Sequence, residues 1–414
     1  MPKIIFTGLF QEKAGISWQP KYCEQLASYL ATKGYIIDFL DLSPIEDKMK
    51  LPKYCSHEYV GSNIFLPWKH PSIDKKSKKP IWADSNIVDY VKRIIGIVST
   101  ANIFKTKVLN DHISLIINYN GTLSIQRVCK YIAAANGIPQ LFLSASVLPG
   151  TIEIDSIGTQ ALNWTVHNSH NFNKLLLDNN DLENAKNYIN YITRKHEIIR
   201  LKKFDEIEEI KAKIQNDKKP VLFFAGSGKY GNGIWPRLYP ASFYYSPFYK
   251  NDYDALSKLL KLANRNNWYI LFKPHPVDPP QVVNAHPNLL IIKDLNRENI
   301  LECISLSDAV ITLVSSVSGL GLIYGKPVVL LGRNTLTGKK IAYELNTKDN
   351  LQTIIKSALD SEFTSQMKDN WLQYVARTLK YHVFSCDSNV DRFTGGGVEK
   401  AGEFIIQHCV RNKP

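Results

Sequence analysis

The sequence has no apolar run that could cross a bilayer as a single helix. Prolines and glycines interrupt the charge-free stretch 131–152, and serines and glycines interrupt the charge-free stretch 309–325. The start of the chain has neither a long apolar region nor a small-residue cleavage site. A short strand is therefore predicted there, and no signal peptide.

Cysteine is scarce and scattered. The six cysteines include no pair spaced as CxxC, which excludes the common zinc and thiol redox motifs. No other metal-ligand or cofactor motif is found, so neither a metal nor a cofactor is expected. Scattered cysteines without a leader indicate a reducing compartment, and a cytoplasmic location is expected.

Acidic residues are too few to balance the basic ones. The 51 lysines and arginines face 38 aspartates and glutamates, which gives a net charge of +13. This surplus favours an anionic partner: a nucleic acid, a phosphosugar or an acidic membrane surface. Hydrophobic residues make up 44% of the 414 residues and charged residues 21%, which excludes a disordered chain and allows two or three domains.

The N-terminal half alternates segments typical of strands with segments of helical spacing. Strands are predicted at 3–8, 35–40, 114–119 and 140–144, and helices at 22–32, 85–99 and 124–136. This alternation favours a parallel sheet. The charged helical stretch 178–219 follows, and we interpret it as a connector or a solvated helix.

The C-terminal half repeats the alternation. Strands are predicted at 221–225, 268–272, 289–292, 309–314 and 327–331, and helices at 253–264, 298–307, 316–324, 349–360 and 397–408. The expected fold class is α/β, with two Rossmann-like domains facing a cleft. We expect an N-terminal domain over 1–205, a C-terminal domain over 206–384 and a terminal helical segment over 385–414. Ligands of such sheets bind at the carboxyl ends of the strands.

A glycine-rich segment, 225–236, follows the first strand of the second block. Its glycines match GxGxxG, but prolines follow too soon for the motif to open a helix, so a dinucleotide site is rejected. Dense glycine lets a backbone approach a ligand closely, and a plain flexible loop is the alternative. The ligand-binding residues predicted here are Gly228, Lys229, Gly231 and Gly233.

The segment Lys273-Pro-His275-Pro directly follows another predicted strand. Two prolines hold the chain extended and set the direction of the imidazole. His275 could donate a proton or a hydrogen bond to a leaving phosphate, and Lys273 could add positive charge. A surface histidine in a proline-rich turn is the alternative.

Three serines, Ser315, Ser316 and Ser318, follow the strand at 309–314 and open a helix. Hydroxyls and free amides at such a position can bind an anion, although N-capping is the ordinary role of serine there.

Two polar segments follow strands of the first block. Asn120 and Gly121 follow the strand at 114–119, and the carboxylates Glu153 and Asp155 lie in the segment after the strand at 140–144. We expect all four residues in loops on the ligand side of the sheet, where a plain surface loop is the alternative.

Taken together, these segments resemble the bacterial CMP-sugar transferases that carry an HP motif. More narrowly, they resemble the retaining β-Kdo glycosyltransferases of capsule and O-antigen synthesis. The likeness rests on KPHP at 273–276 and on SDAVITLVSSVSGLGLIYGKPVVLLG at 307–332. NYNG, GIPQLFLS and LPGTIEIDSIG in the N-terminal half occur in the order found in that group.

The resemblance implies a GT-B architecture without a metal, in which the C-terminal helix crosses back to the first domain. It implies that CMP-β-Kdo is the donor and that His275 and the Ser315–Ser316 turn hold the CMP phosphate. The implied acceptor is a bacterial surface glycan or its lipid-linked precursor, with peripheral association at the cytoplasmic face of the inner membrane. Members of the group often occur as modules of longer polypeptides.

The chain departs from the group at Asn232, where relatives carry an aspartate before a glycine. In their double displacement, that carboxylate attacks the anomeric carbon, and an amide is not a nucleophile of comparable strength. An exchange of Asp for Asn, engineered or otherwise, would explain the residue, and a natural Asn-Gly turn is the alternative. Capsule relatives often carry glutamate at the position of Ser144, which leaves the acid/base partner open.

Three alternatives remain at this stage. The first is another CMP-sugar enzyme, such as a sialyltransferase with the same HP and SS elements. The second is a glycan-binding module without catalysis, which Asn232 favours. The third is a basic nucleic-acid-binding protein, but no RNA or DNA motif is present and the aromatic residues do not follow a basic stripe, so no nucleic-acid partner is expected.

Overall fold

A computed structural model describes residues 1–8, 18–41, 55–59, 98, 101–122, 124–200, 204–228, 234, 240–276, 284–294 and 299–411. The chain forms two compact units. Unit 1 comprises 1–145, 150–159 and 382–414, and unit 2 comprises 146–149 and 160–381.

The strands of the described residues form two sheets. They are β1 (Lys3–Gly8), β2 (Ile36–Asp41), β3 (Cys55–Tyr59), β4 (Ile113–Tyr119), β5 (Gln140–Ala145), β6 (Thr151–Asp155), β7 (Val221–Ala225), β8 (Tyr269–Lys273), β9 (Leu289–Ile291), β10 (Ala309–Thr312), β11 (Val328–Leu330), β12 (Tyr343–Glu344) and β13 (Val383–Ser385).

Helices connect most of these strands. They are α1 (Trp18–Thr32), α2 (101–110), α3 (Ser124–Ala135), α4 (Trp164–His167), α5 (Ser169–Asn173), α6 (Asn179–Arg200), α7 (Asp205–Asp217), α8 (Pro240–Tyr245), α9 (Asp252–Asn266), α10 (Ile300–Ser305), α11 (Val317–Ile323), α12 (Leu351–Ser361), α13 (Ser365–Tyr381), α14 (Asp391–Thr394) and α15 (Val398–Arg411).

The sheet of unit 1 has the order β13-β6-β5-β4-β1-β2-β3. The strands from β3 to β5 pair in parallel, and β6 and β13 add antiparallel pairs at one side. Helices on both faces bury β1 and β4, which explains why these strands read as nearly continuous apolar runs. Between them, Thr7 Oγ1 donates to Asn118 Oδ1 at 2.8 Å, so the central polar side chains satisfy each other.

The sheet of unit 2 has the order β12-β11-β10-β7-β8-β9, and all its pairs are parallel. From β7 the chain runs outward through β8 and β9, and then returns to add β10, β11 and β12 on the other side of β7. The order therefore reverses between β7 and β10. In doubly wound sheets, ligands bind beside the carboxyl ends of the strands at such a reversal.

The predicted α/β class with two Rossmann-like units is confirmed, and most predicted elements agree with the structure. Several elements escaped prediction, among them β6 and α13. The segment 151–155 was expected to be a loop but is strand β6, whose five residues are all buried. Helix α13 was missed because its sequence is rich in polar residues and buries aromatic side chains on one face only. The predicted helix at 85–99 lies almost wholly outside the described residues.

The boundary between the units differs from the prediction. A break at residue 205 was expected, but residues 160–205 belong to unit 2 together with the sheet from β7 to β12. The charged stretch 178–219, interpreted as a connector or a solvated helix, forms helices α6 and α7 of that unit. Its few apolar residues explain the error, although Ile207 and Ile210 of α7 are buried.

The C-terminal segment returns to unit 1, as predicted. Ala401, Ile405 and Cys409 recur every four residues along α15 and so form one apolar face. This face shares a core cluster with Leu26 and Leu30 of α1. At the edge of the contact, Tyr29 Oη donates to Glu403 Oε1 at 2.6 Å.

None of the helices within the described ranges is both long enough and apolar enough to span a membrane.

A substitution at Gly402 tests the contact between α15 and α1. A Cβ atom at this position would overlap the ring of Tyr29. Gly402→Ala should therefore lower the free energy of unfolding by about 1–3 kcal/mol, although replacing a glycine within a helix ordinarily adds about 0.5–1 kcal/mol. Urea titration measures the change.

The matched control is the same substitution in a Tyr29→Ala background, where the space is open and Gly402→Ala should stabilise the protein. Stabilisation by Gly402→Ala alone would contradict the packing described.

Candidate functional site

The described candidates of unit 2 lie at or just after the ends of its strands, an edge that we call the carboxyl edge. Residues 226–228 follow β7, residues 274–276 follow β8, and residues 313–316 follow β10. Since β7, β8 and β10 are neighbours in a parallel sheet, these loops emerge side by side.

Two glycines allow His275 to pack directly on the loop after β7. A Cβ atom at Gly226 would lie 2.6 Å from the backbone nitrogen of His275, so no other residue fits without movement. A Cβ atom at Gly228 would lie 3.0–3.3 Å from three atoms of the imidazole. Gly226 N also donates to Lys273 O at 2.9 Å, which links the two loops through their backbones. Gly228 and His275, predicted separately, are thus in contact.

Ser227 lies between these glycines and joins the loops after β7 and β10. Its side chain is fully buried, and its Oγ accepts a hydrogen bond from Val314 N at 3.2 Å. The Oγ also lies 3.4 Å from Thr312 Oγ1. On its other side, Ser227 N donates to Asp252 Oδ2 at 2.6 Å, at the start of α9. A charge-assisted bond of this kind is among the stronger ones in proteins.

The serines after β10 differ in their surroundings. Ser315 N donates to Thr312 Oγ1 at 3.0 Å, and Ser318 Oγ donates to Ser315 O at 2.8 Å. The hydroxyl of Ser318 also accepts from Asn334 Nδ2 at 3.0 Å, so it serves the internal network. Ser316 is exposed and makes no side-chain capping bond to α11. Of the three, Ser316 is the one whose hydroxyl faces solvent.

Gly319 brings the segment 146–149 against this turn. A Cβ atom at Gly319 would overlap the carbonyl oxygen of Val147. The same segment is held by Tyr188 of α6, whose buried hydroxyl donates to Pro149 O at 2.7 Å. The serine-glycine motif therefore packs against Val147, the residue just before LPGT, although more than 160 residues separate them in the sequence.

Lys273 is buried, with 2% of its surface exposed. Its Nζ donates to Asp294 O at 2.7 Å, so the amino group holds the segment after β9. Burial lowers the pKa of Lys273, and the nearby carboxylates of Asp294 and Glu206 oppose this effect. The predicted contact between Lys273 and a ligand stays a prediction, while a supporting role for this side chain is visible.

The remaining candidates of the glycine-rich segment lie outside the described residues. They are Lys229, Gly231, Asn232 and Gly233. Their predicted roles stay predictions. The flanking positions are described: Gly228 contacts His275, and Ile234 is fully buried in the core of unit 2.

The four candidates of the first block belong to unit 1. Asn120 and Gly121 both have positive φ, 62° and 67°, and form an Asn-Gly turn after β4, where a loop was predicted. Glu153 and Asp155, expected in a loop, instead lie buried in β6.

The Asp155 carboxylate holds the turn that follows β6. It accepts hydrogen bonds from Ile157 N at 2.7 Å and Gly158 N at 3.1 Å. Beyond this turn, Thr159 Oγ1 donates to Asn120 O at 2.8 Å, which links the segment after β6 to the Asn-Gly turn.

Sequence reasoning missed Ser227, Thr312 and Asn334, which hold the loops of the carboxyl edge together. Ser227 is the second residue after β7, so inspecting the first few residues after each predicted strand would have found it. Thr312 is the last residue of an apolar strand, and Asn334 belongs to a loop without any recognisable motif. Neither carries a local signal, because their partners lie 85 and 16 residues away along the chain.

Across the described ranges, no group of three or more His, Cys, Asp or Glu residues could hold a metal ion.

The chain matches no protein-family model and no curated protein. Among solved structures it is similar to the beta Kdo 2,7 transferase of Thermosulfurimonas dismutans KpsC, with 15% identity, a TM-score of 0.48 and coverage of 98% of this chain and 99% of that one. The beta Kdo 2,4 transferase of the same protein shows 15% identity and a TM-score of 0.45, over 72% of this chain and 88% of that one.

The UDP-GlcNAc 2-epimerase of Methanocaldococcus jannaschii shows 10% identity and a TM-score of 0.41, over 92% of this chain and 100% of that one. Identities of 15% or less with TM-scores below 0.5 do not define an activity for this chain.

The hydroxyl pair of Ser227 and Thr312 gives a testable coupling. Ser227→Ala removes the acceptor of Val314 N in a fully buried place, so the free energy of unfolding should fall by about 1–3 kcal/mol. Thr312→Val should lower the free energy of unfolding by a similar amount, because Ser315 N loses its hydrogen-bond acceptor.

Since the two hydroxyls share one network, the double variant should cost less than the sum of the single variants by at least about 0.5 kcal/mol. Chemical denaturation of the four proteins measures the coupling. Strict additivity would show that the two side chains act independently.

Proposed function

We propose that this chain is a retaining glycosyltransferase that moves β-Kdo from CMP-β-Kdo to a bacterial surface polysaccharide, an O-antigen or a capsule glycan. One observation supports this most directly. His275 packs on Gly228, and Val314, just before the serine turn, donates to the neighbouring Ser227, so the elements that carry the family resemblance follow adjacent strands at the carboxyl edge where the strand order of unit 2 reverses.

His275 and the Ser315–Ser316 turn stabilise the departing CMP phosphate in this proposal. As the bond to the sugar breaks, negative charge grows on the phosphate oxygens. Donors that are already in position stabilise this charge without reorganising. The imidazole packed on Gly228 and the exposed hydroxyl of Ser316 supply such donors, and the surplus of basic residues adds a favourable field.

The nucleophile of the proposed reaction belongs at position 232. A carboxylate there attacks the anomeric carbon as CMP leaves, and the acceptor hydroxyl then displaces it, so the configuration is retained. Asn232 keeps the size of the aspartate side chain but lacks its charge, so we expect this chain to be impaired in the first step. Glu153 and Asp155 stay predicted catalytic carboxylates, to be tested next if position 232 does not supply the nucleophile, and the acid/base partner stays open.

The proposal includes a place of action and partners. The net charge of +13 suits a donor with a phosphate and a carboxylate and an acceptor near an anionic membrane. We propose that the protein acts at the cytoplasmic face of the inner membrane on a glycan or lipid-linked glycan, and that it uses neither a metal nor a cofactor. A module within a larger polypeptide is compatible with this role.

Asn232 favours one second candidate, a module that binds the donor or a glycan without transferring the sugar. The two candidates differ in what an aspartate at this position would do.

Ligand binding tests the nucleotide. CMP should raise the unfolding temperature, whereas UDP and ADP should do so much less. At about 100 times its dissociation constant, a ligand adds roughly 2.7 kcal/mol to the apparent stability. Thermal-shift titration with the three nucleotides measures the difference, and equal shifts from CMP and UDP would contradict the proposed donor.

Placing a carboxylate at position 232 tests the proposed nucleophile. Asn232→Asp should raise transfer from CMP-Kdo to a glycan acceptor by several orders of magnitude, as judged by chromatography of the product. In that background, His275→Ala should reduce turnover by about 100-fold or more if the imidazole assists the leaving phosphate.

The exposed residue His170 offers a matched control, since His170→Ala should leave turnover unchanged. An Asn232→Asp protein that binds CMP-Kdo but transfers no faster would favour the binding module.

A further inference from the structure

The segment 174–178, between α5 and α6, presents leucine side chains to solvent. Leu176 is 82% exposed, and Leu175 and Leu177 on either side of it are partly exposed. Tyr381, the last residue of α13, is 45% exposed beside them. A single exposed leucine is common on a protein surface, but leucines grouped with an exposed aromatic ring form an apolar patch. We call these four residues the leucine patch, and the proposed catalytic roles do not account for it.

Side chains of α13 hold the backbone of the leucine patch in place. Arg377 Nε donates to Leu175 O at 3.1 Å, and Tyr381 Oη donates to Leu176 O at 2.8 Å. These partners lie 202 and 205 residues apart along the chain. Leu175 N also donates to Phe172 O, at 3.1 Å. Ordering long side chains costs conformational entropy, so the fold holds Leu176 in water at a cost.

The charged residues beside the patch leave a positive balance. Asp178 N donates to Asp181 Oδ2 and Asp181 N donates to Asp178 Oδ1, both at 2.9 Å. Lys380 Nζ donates to Asp181 Oδ2 at 2.6 Å and lies 3.9 Å from the Asp178 carboxylate. Both carboxylates are thus paired with a lysine. Arg377 and the exposed Lys174 add two further cations, so these five side chains carry one net positive charge.

The size and composition of the patch suit the interfacial region of a lipid bilayer. A stable protein interface buries about 800 Å² on each partner, which is well above what one exposed leucine, two partly exposed ones and one half-exposed tyrosine offer. A bilayer sets no such minimum, because leucines enter the acyl boundary while tyrosine and lysine stay at the headgroups. Leu175 O and Leu176 O already accept hydrogen bonds from α13, so inserting them would leave neither carbonyl without a donor.

We propose that the leucine patch inserts into the interfacial region of an anionic phospholipid bilayer and so docks unit 2 on the membrane. The inference rests on the proposed function for the choice of membrane, the anionic cytoplasmic leaflet. The net charge of +13 draws the protein toward such a surface, but salt screens this attraction. The patch adds a short-range apolar contact, and two signals together hold a protein at a membrane more stably than one.

Sedimentation with lipid vesicles tests the contact. Mixed vesicles of phosphatidylcholine and phosphatidylserine should bind the wild type, and vesicles of phosphatidylcholine alone should bind it much less. Leu176→Ser should weaken binding to the mixed vesicles by about 10-fold, because one leucine side chain no longer leaves water. The substituted side chain is exposed, so the fold should be unchanged, which circular dichroism checks.

Leu109 provides a matched control. It is 62% exposed in α2 of unit 1, outside the patch, so Leu109→Ser removes the same side chain from another surface and should leave vesicle binding unchanged. A second pair of variants reports insertion directly. Relative to the wild type, the added fluorescence of Leu176→Trp should shift to the blue with mixed vesicles and be quenched by brominated lipid, whereas that of Leu109→Trp should do neither.

A wild type that binds neither kind of vesicle, or equal binding by the wild type and Leu176→Ser, would overturn the inference. Analytical ultracentrifugation without lipid tests another occupant of the patch. A wild type that dimerises and becomes monomeric as Leu176→Ser would assign the patch to a contact between two copies of the chain and overturn the inference as well. The vesicle assay contains no nucleotide, so its failure is distinct from a failure to bind CMP, which would overturn the proposed function.

Discussion

The buried side chain of Ser227 holds together the part of the molecule on which the proposed chemistry depends. Its Oγ accepts a hydrogen bond from Val314 N and so connects the loop after β7 to the loop after β10. Its own backbone amide donates to the Asp252 carboxylate. The strand order reverses between β7 and β10, so the two loops diverge from neighbouring strands. Without the hydrogen bond between Val314 N and Ser227 Oγ, the surface that carries His275 and the serine turn would lose its fixed shape.

Further contacts connect these two loops to the loops after β8 and β11. On the β8 side, Gly226 and Gly228 let the backbone and ring of His275 pack on the loop. Next to β11, the hydrogen bond from Asn334 Nδ2 to Ser318 Oγ connects the serine turn to the loop that carries Arg333. Preorganised donors of this kind are effective because they need not rearrange when charge develops on a ligand. The described contacts therefore hold His275 and the serine turn in fixed positions before any ligand binds.

Much of this fold could be predicted from the sequence, because strand and helix patterns alternate clearly in both halves. His275 and Ser315 were predictable for a related reason: each lies within three residues of the end of an apolar strand, and parallel strands end at one edge. Strand β6 was missed because it follows a proline and a glycine and contains two carboxylates, which together favour a loop. The boundary at 205 was wrong because a charged helix resembles a linker in composition.

The side-chain contacts between the loops could not be predicted from the sequence. Ser227 and Thr312 lie 85 residues apart, and Arg333 meets the Tyr244 ring across 89 residues. Such pairs depend on the register of neighbouring strands and on the path of the loops after them. Neither follows from periodicity or composition. The resemblance to Kdo transferases predicted where the site lies, and the structure added the residues that hold its described part in shape.

Hydrogen exchange with and without CMP tests the central claim, that the carboxyl edge of unit 2 is the nucleotide site. The account predicts that CMP slows exchange in peptides covering 226–228, 274–276 and 313–318. Peptides at the opposite edge of the same sheet, such as 324–328 before β11, should exchange at an unchanged rate. Protection confined to that opposite edge, or no protection in unit 2 at saturating CMP, would contradict the account.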